Sequence, residues 1–248
     1  MKQFVVTSSM GKRLIAKGVA KHEAVAAVLK KGRLAIVAGT TNGYVAEEVL
    51  ATLGQSEGFS RMGFRRGMVV APGFAAPQAA PASDVVIVDG QWLKGKEIFD
   101  VVDDMQAGDV ILKGGNALDL CRGQAAALIA HPMGGSLGAS IPAVIGRRVR
   151  LIVPIGLEKR VADDLGELAA FCNAPDAEGP RMMIVPGEVF TELDAIELLT
   201  GATARLLAGG GVHGAEGAVW LGVTGSASAI QAAEELIRSI SREPACQA

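Results

Sequence analysis

The stretch Leu34-Ala35-Ile36-Val37-Ala38-Gly39-Thr40-Thr41-Asn42-Gly43 decides how this chain is read. Five apolar residues run into a glycine, three small polar residues and a second glycine. A short apolar run bounded by turn residues reads as a buried strand, and residues 44–53 continue at helical spacing. Strand, loop and helix in that order form the basic unit of an α/β protein. The start of a helix carries unpaired N–H groups and partial positive charge, so it suits a phosphate or carboxylate. Gly39, Thr40, Thr41, Asn42 and Gly43 are therefore candidate ligand-binding residues. The same five also read as an ordinary strand-to-helix turn, with glycine for tight geometry and Thr or Asn as the cap. Gly-x-Gly-x-x-Gly is absent, so no dinucleotide fingerprint is present.

Outward from this unit, apolar runs at 68–71, 84–88, 109–112 and 150–155 repeat the strand signal, each bounded by Gly, Asp or Pro. Residues 96–106 place Ile98, Val101, Val102 and Met105 on one helical stripe. Residues 20–31 do the same with Val25, Val28 and Leu29 before Gly32. The alternation predicts a parallel, Rossmann-like sheet with helices on both faces. The uncharged stretch 123–146 reads as two buried helical pieces joined by a glycine loop. The last third changes pattern. A strand at 182–185 precedes a capping box of Thr191 and Asp194, which starts a helix over 192–200 closed by Gly201. Strands at 202–207 and 218–223 and a helix after Ser228 complete a β-α-β-β-α order, expected as a smaller ferredoxin-like α/β layer. The division expected is 1–156 and 157–248.

Lys113-Gly114-Gly115-Asn116-Ala117-Leu118-Asp119 reads as a strand end opening into a helix, with Lys113 at the carboxyl edge of the sheet, where open α/β folds bind ligands. Val88-Asp89-Gly90 ends the preceding strand. With all strands parallel, Asp89, Lys113 and residues 39–43 share one rim. A carboxylate, an ammonium and an anion cradle suit proton transfer on a phosphorylated small molecule. Asp89 and Lys113 equally suit a plain salt bridge and turn cap.

These motifs resemble the superfamily of ribose-5-phosphate isomerase A, glucosamine-6-phosphate deaminase and the coenzyme A transferases. Residues 39–43 stand where the isomerases have G-T-G-S-T, Asp89-Gly90 where they have D-G-A-D-E, and residues 113–118 resemble K-G-G-G-A-A-L. Residues 151–161 and Pro186-Gly187-Glu188-Val189 are similar to later segments, so the order covers nearly the whole chain. Residues 115–120 also resemble the G-G-A-M-D-L turn of coenzyme A transferases. The resemblance implies that residues 39–43 with Gly114, Gly115 and Asn116 hold the anion. It further implies that Lys113 stabilises enolate charge and that Asp89 or Asp119 handles the proton. The chain departs from the isomerases with Trp92 and Leu93 in place of carboxylates and Arg122 near the general-base position. It lacks the transferases' S-E-N-G glutamate; Glu216 is the nearest glycine-flanked one. The expectation is a protein binding a small phosphorylated or carboxylated metabolite, as an isomerase- or lyase-type enzyme. The alternatives are a non-catalytic ligand-binding or regulatory protein on the same scaffold, or a coenzyme A transferase-like enzyme.

Composition narrows the partners. With 24 basic and 26 acidic residues the net charge is −2, which offers no footprint for nucleic acid or an anionic membrane. The basic clusters around Arg65 and Arg148 are short. Cys121, Cys172 and Cys246 are scattered, as are His22, His131 and His213, so neither a metal site, a cofactor nor a disulfide framework is expected. Cys121 reads as a small core residue. The start of the chain lacks a signal-peptide pattern, and a cytoplasmic homo-oligomer is expected. The turn from Pro132 to Gly138 reads as a second anion site or a bland connection. The glycine loop at 209–214 is permissive enough to close over a ligand or meet another subunit.

Overall fold

The computed structural model describes residues 1–66, 73 and 83–245. The strand expected at 68–71, most of the Pro/Ala-rich stretch 71–83 and Cys246 lie outside the described residues. The fold is mixed α/β, with three sheets and seven α-helices among the described residues.

The chain begins with β1 (Lys2–Val6), α1 (Ser8–Lys21), α2 (Glu23–Val28), β2 (Arg33–Ile36) and α3 (Thr40–Thr52). It continues with β3 (Val85–Val88), β4 (Gln91–Trp92), β5 (Val110–Leu112), β6 (Ala117–Asp119), β7 (Gln124–Ile129), α4 (Gly135–Ile141) and β8 (Arg150–Pro154). After these come α5 (Leu165–Cys172), β9 (Arg181–Val185), β10 (Glu188–Phe190), α6 (Glu192–Thr200), β11 (Thr203–Gly209), β12 (Val219–Thr224) and α7 (Ala227–Ser239). The central six-stranded sheet has the order β10-β8-β5-β2-β3-β4. Its first four strands are parallel, and β3 and β4 are antiparallel to their neighbours.

The antiparallel pairing of β3 with β2 corrects the expected all-parallel sheet, and a tight turn then returns the chain as β4. Asp89 and Gly90 both have positive φ, 47° and 77°, and join Val88 to Gln91, which pair across the turn. An Asp-Gly pair of that kind makes a two-residue hairpin whose twist matches the strands it joins. Two other expectations are corrected. Ile98, Val101, Val102 and Met105 are all buried, but on two short 3-10 turns (Ile98–Asp100 and Val102–Asp104) rather than an α-helix. The helix expected after Lys113 is instead the hairpin β6–β7, so the first part of 123–146 is strand. Cys121, in the hairpin turn, is exposed.

The smaller sheets are antiparallel, β1-β12-β11 and β6-β7-β9. Strand β10 lies in the central sheet and β1 pairs with β12, so both sheets draw strands from either side of residue 156. The main hydrophobic core runs from Leu34, Ile36 and Ile111 to Leu221 and Ile237, and a small second cluster of Ala117, Ala126 and Leu165 lies under α5. The expected capping box forms: Thr191 and Asp194 start α6, and Gly201 ends it at φ 69°. Helix α1 packs against α3 and α6. A Cβ on Gly18 would come within 2.9 Å of Ala195 and the Phe190 ring, so a glycine is what lets α1 sit this close. Among the described residues no helix is long and apolar enough to cross a membrane.

Candidate functional site

The carboxyl ends of β2, β5, β8 and β10 share one rim, and the antiparallel β3 begins there. A cavity of about 970 Å³ opens on it. Lys113 lines the cavity, as do Gly39, Thr40, Thr41, Asn42, Gly114, Gly115 and Asn116, seven of the eight residues expected to bind the anion. Gly43 does not; a Cβ there would press on Arg61 at 3.0 Å, so its glycine serves packing. The rest of the wall comes from Arg66, Phe99, Lys159, the end of β7 with His131, and the turn into α4.

The cradle is stapled to the sheet. Asn42 Nδ2 donates to Val37 O at 2.8 Å and to Leu112 O at 3.0 Å, tying together the chains that leave β2 and β5. Its Oδ1 and the Thr41 hydroxyl are buried without a partner among the described residues. Gly39 caps α3 without a side-chain bond. The first-turn N–H groups of Thr40, Thr41 and Asn42 also take no partner among the described residues. Such groups are ordinarily satisfied by a cap, by water or by a ligand. Two glycines in this wall have no structural need to be glycine. Gly39 has extended backbone, and a Cβ on Gly39 or Gly114 would meet nothing nearer than 3.9 Å. Gly115 differs: its Cβ would crowd Ile155 and Ala126 O at 3.0 and 3.1 Å.

Positive charge gathers at the rim. Lys113 is partly buried, and burial, then repulsion from Lys159, pushes its pKa down to about 8. Burial likewise lowers Lys159, whose Nζ donates to Gly115 O at 2.8 Å. Behind it, the buried Lys12 pairs with Glu158 at 2.9 Å. Burial alone would raise Glu158, but Lys12 holds it below the usual carboxylate range. Glu192 accepts from Leu157 N at 3.0 Å, and burial, then the charge on Glu158, pushes it up to about 8.

Asp84 organises the opposite wall. Its fully buried carboxylate accepts from Ala38 N and Ile98 N, both at 2.8 Å, and from Arg66 Nε and Nη2 at 3.1 and 2.8 Å. Arg66 also pairs with Glu97 at 3.0 Å and lies 5.2 Å from the Phe99 ring centre.

The two expected catalytic carboxylates are not brought here. Because β3 is antiparallel, Asp89 lies at the opposite end of the sheet, where Oδ1 accepts from Gly32 N at 2.8 Å. Asp119 is at the end of β6, accepts from Arg122 N at 3.0 Å and pairs with Arg122 Nη1 at 2.8 Å. Arg122 holds the Asp119 carboxyl below its usual range, and neither residue lines the cavity. Reading the sequence missed Asp84, Arg66, Lys159 and His131. Asp84 reaches the rim because β3 begins there, an orientation set by the long-range pairing of β3 with β2 and marked by no local motif.

Compared with protein-family models, curated proteins and solved structures, the chain matches none. The fold and the cavity define it as a mixed α/β protein with a cation-lined pocket at the carboxyl edge of parallel strands.

Proposed function

We propose that this cavity binds a small phosphorylated or carboxylated metabolite and supports proton transfer beside its carbonyl, as in an isomerase or lyase, on a Rossmann-like sheet. One observation carries the reading. The uncapped first turn of α3, two glycines with room for a Cβ and Lys113 all face the same cavity. The free amides take the anion. Lys113 and Lys159 bring positive charge to an enolate oxygen as it develops. His131 Nδ1 accepts from Met133 N at 3.1 Å, which leaves Nε2 for exchange with a ligand. The likeness of residues 39–43 and 113–118 to sugar-phosphate isomerase segments supports the same reading. A second reading, a binding protein without turnover, is favoured by one fact: no carboxylate lines the cavity among the described residues.

Titration calorimetry with inorganic phosphate tests the anion site. Gly39→Ala places a methyl group where backbone and packing tolerate it. Its stability should stay within about 0.5 kcal/mol of wild type while phosphate binding weakens by at least about tenfold. Equal phosphate affinity in both proteins would remove the site. A panel of sugar phosphates and 2-oxo acids then separates the two readings. Solvent deuterium entering a ligand's carbon supports the enzyme; melting shifts without exchange support the binding protein.

A further inference from the structure

We propose that Lys113 is a carbonyl-reactive amine that forms an imine with an aldehyde, ketone or 2-oxo acid whose anionic group sits on the first turn of α3. This rests on the anion-site reading above and adds the covalent chemistry.

Three lysines of the rim region are partly or fully buried, and their partners differ. Lys12 is paired with Glu158 at 2.9 Å, and Lys159 donates to Gly115 O at 2.8 Å. Lys113 Nζ has only Gly114 O among the described residues, at 3.4 Å, a length at which a hydrogen bond is weak. Among the described residues no carboxylate lies within ion-pair distance of it. Lys159 and Arg66 face the same cavity and repel a proton on Lys113, while the Asp84 carboxylate, committed to Arg66, offsets part of this from a distance. The Lys113 backbone is fixed, its N–H donating to Ile152 O at 3.0 Å, and so the amine is presented from a rigid strand end. With the pKa near 8, a sizeable fraction is neutral at physiological pH. The charge of the ligand does not depend on this lysine, because the amides of Thr40, Thr41 and Asn42 are available for it.

In the step, the lone pair of neutral Nζ attacks the carbonyl carbon and the C–O π pair moves to oxygen. Nζ loses one proton and the oxygen gains one, giving a carbinolamine. Protonation of its hydroxyl by solvent or His131 lets it leave as water, and the nitrogen lone pair forms the C=N bond. The net change is amine plus carbonyl plus one proton to iminium plus water. An iminium draws electrons from the neighbouring carbon, which supplies the activation that a wall without carboxylates otherwise lacks.

The test uses the intact protein, pyridoxal 5′-phosphate as an aldehyde carrying a phosphate, and borohydride, which adds hydride to the iminium carbon and leaves a stable secondary amine. Peptide mass mapping should place the adduct on Lys113. At pH 7.5 and short times, labelling there should be at least about tenfold faster than at the exposed Lys30 and Lys31. Its rate should rise with a midpoint near 8, and excess inorganic phosphate should slow it. Lys113→Arg should keep phosphate binding and lose the adduct. Adducts spread over Lys30 and Lys31 with Lys113 unmodified would overturn the proposal, whether or not phosphate still binds. Lys113 labelled at the same rate with and without phosphate would leave the amine chemistry standing and overturn the anion site on α3.

Discussion

Asp84 offers the sharpest test of how the rim is built. Its carboxylate takes four N–H bonds, two from backbone and two from Arg66, and none of its surface reaches solvent. Asp84→Ala removes all four acceptor contacts at once. The N–H groups of Ala38 and Ile98, both buried, are left without a partner, and each such loss costs about 1–3 kcal/mol. Arg66 keeps Glu97 and is about a quarter exposed, so part of its loss is recovered by hydration. Breaking a buried charge pair from one side typically costs about 3–5 kcal/mol, and we expect that range here. For a chain of this size each kcal/mol lowers the melting temperature by about 2–4 °C, so the shift should be about 6–20 °C. Asp84→Asn keeps the shape but turns one acceptor into a donor facing N–H groups, and should lose at least about 2 kcal/mol. Urea unfolding at pH 7, followed by circular dichroism, reads both variants. Asp84→Asn within about 1 kcal/mol of wild type would refute the reasoning, because it would mean that the four bonds contribute shape rather than charge.

Two buried titrating groups give pH-dependent outcomes of opposite sign. Glu192, raised to about 8, stays protonated in the fold while the unfolded chain ionises from about pH 4.5. Stability from this group therefore falls as pH rises from about 4.5 to 8, with a slope of at most about 1.4 kcal/mol per unit. Glu192→Gln, which mimics the protonated acid, should gain on wild type by more than about 1 kcal/mol between pH 5 and pH 8.5 in urea melts; a constant difference would contradict it. Lys113, lowered to about 8, is charged below that pH at a cost that disappears as pH rises from 8 toward 10.5. Lys113→Met should be more stable than wild type at pH 7, and the gap should close by pH 10.5, as the same melts would read.

What was legible in the sequence was local. Thr191, Asp194 and Gly201 start and stop α6 within one short segment, and they could be read without knowing the rest. The stripe from Ile98 to Met105 correctly marked a buried face. Its conformation was decided elsewhere, by Asp84 capturing Ile98 N and by the reciprocal cap of Glu97 and Asp100. The hairpin β6–β7 was hidden because β7 pairs with β9, some sixty residues on, and because the Asn116 side-chain Oδ1 accepts from Leu128 N. Strand β1 is likewise visible only through β12. The Lys12, Glu158 and Glu192 cluster joins three distant segments, each of which alone reads as a solvated charge.

The orientation of one strand governs what chemistry the rim can hold. In a parallel β3 the residue after the strand, Asp89, would reach the same carboxyl edge as Lys113, two strands away across β2. In the antiparallel strand the residue before it, Asp84, arrives instead, and all of its acceptor capacity is taken by Arg66 and two backbone N–H groups. A carboxylate so committed can neither neutralise Lys113 by direct contact nor accept a substrate proton without breaking the wall. Lys113 is thus left without a paired carboxylate among the described residues, and burial with Lys159 outweighs the distant pull of Asp84 and lowers its proton affinity. Turning β3 back is not open to a point substitution, but adding a carboxylate is. Ala139→Glu, on the cavity wall, should raise the Lys113 pKa toward its ordinary value if the new side chain reaches it, and slow aldehyde labelling at pH 7.5 in proportion. Labelling that stays fast after the pH midpoint has moved up would show that something other than the unpaired amine sets the reactivity.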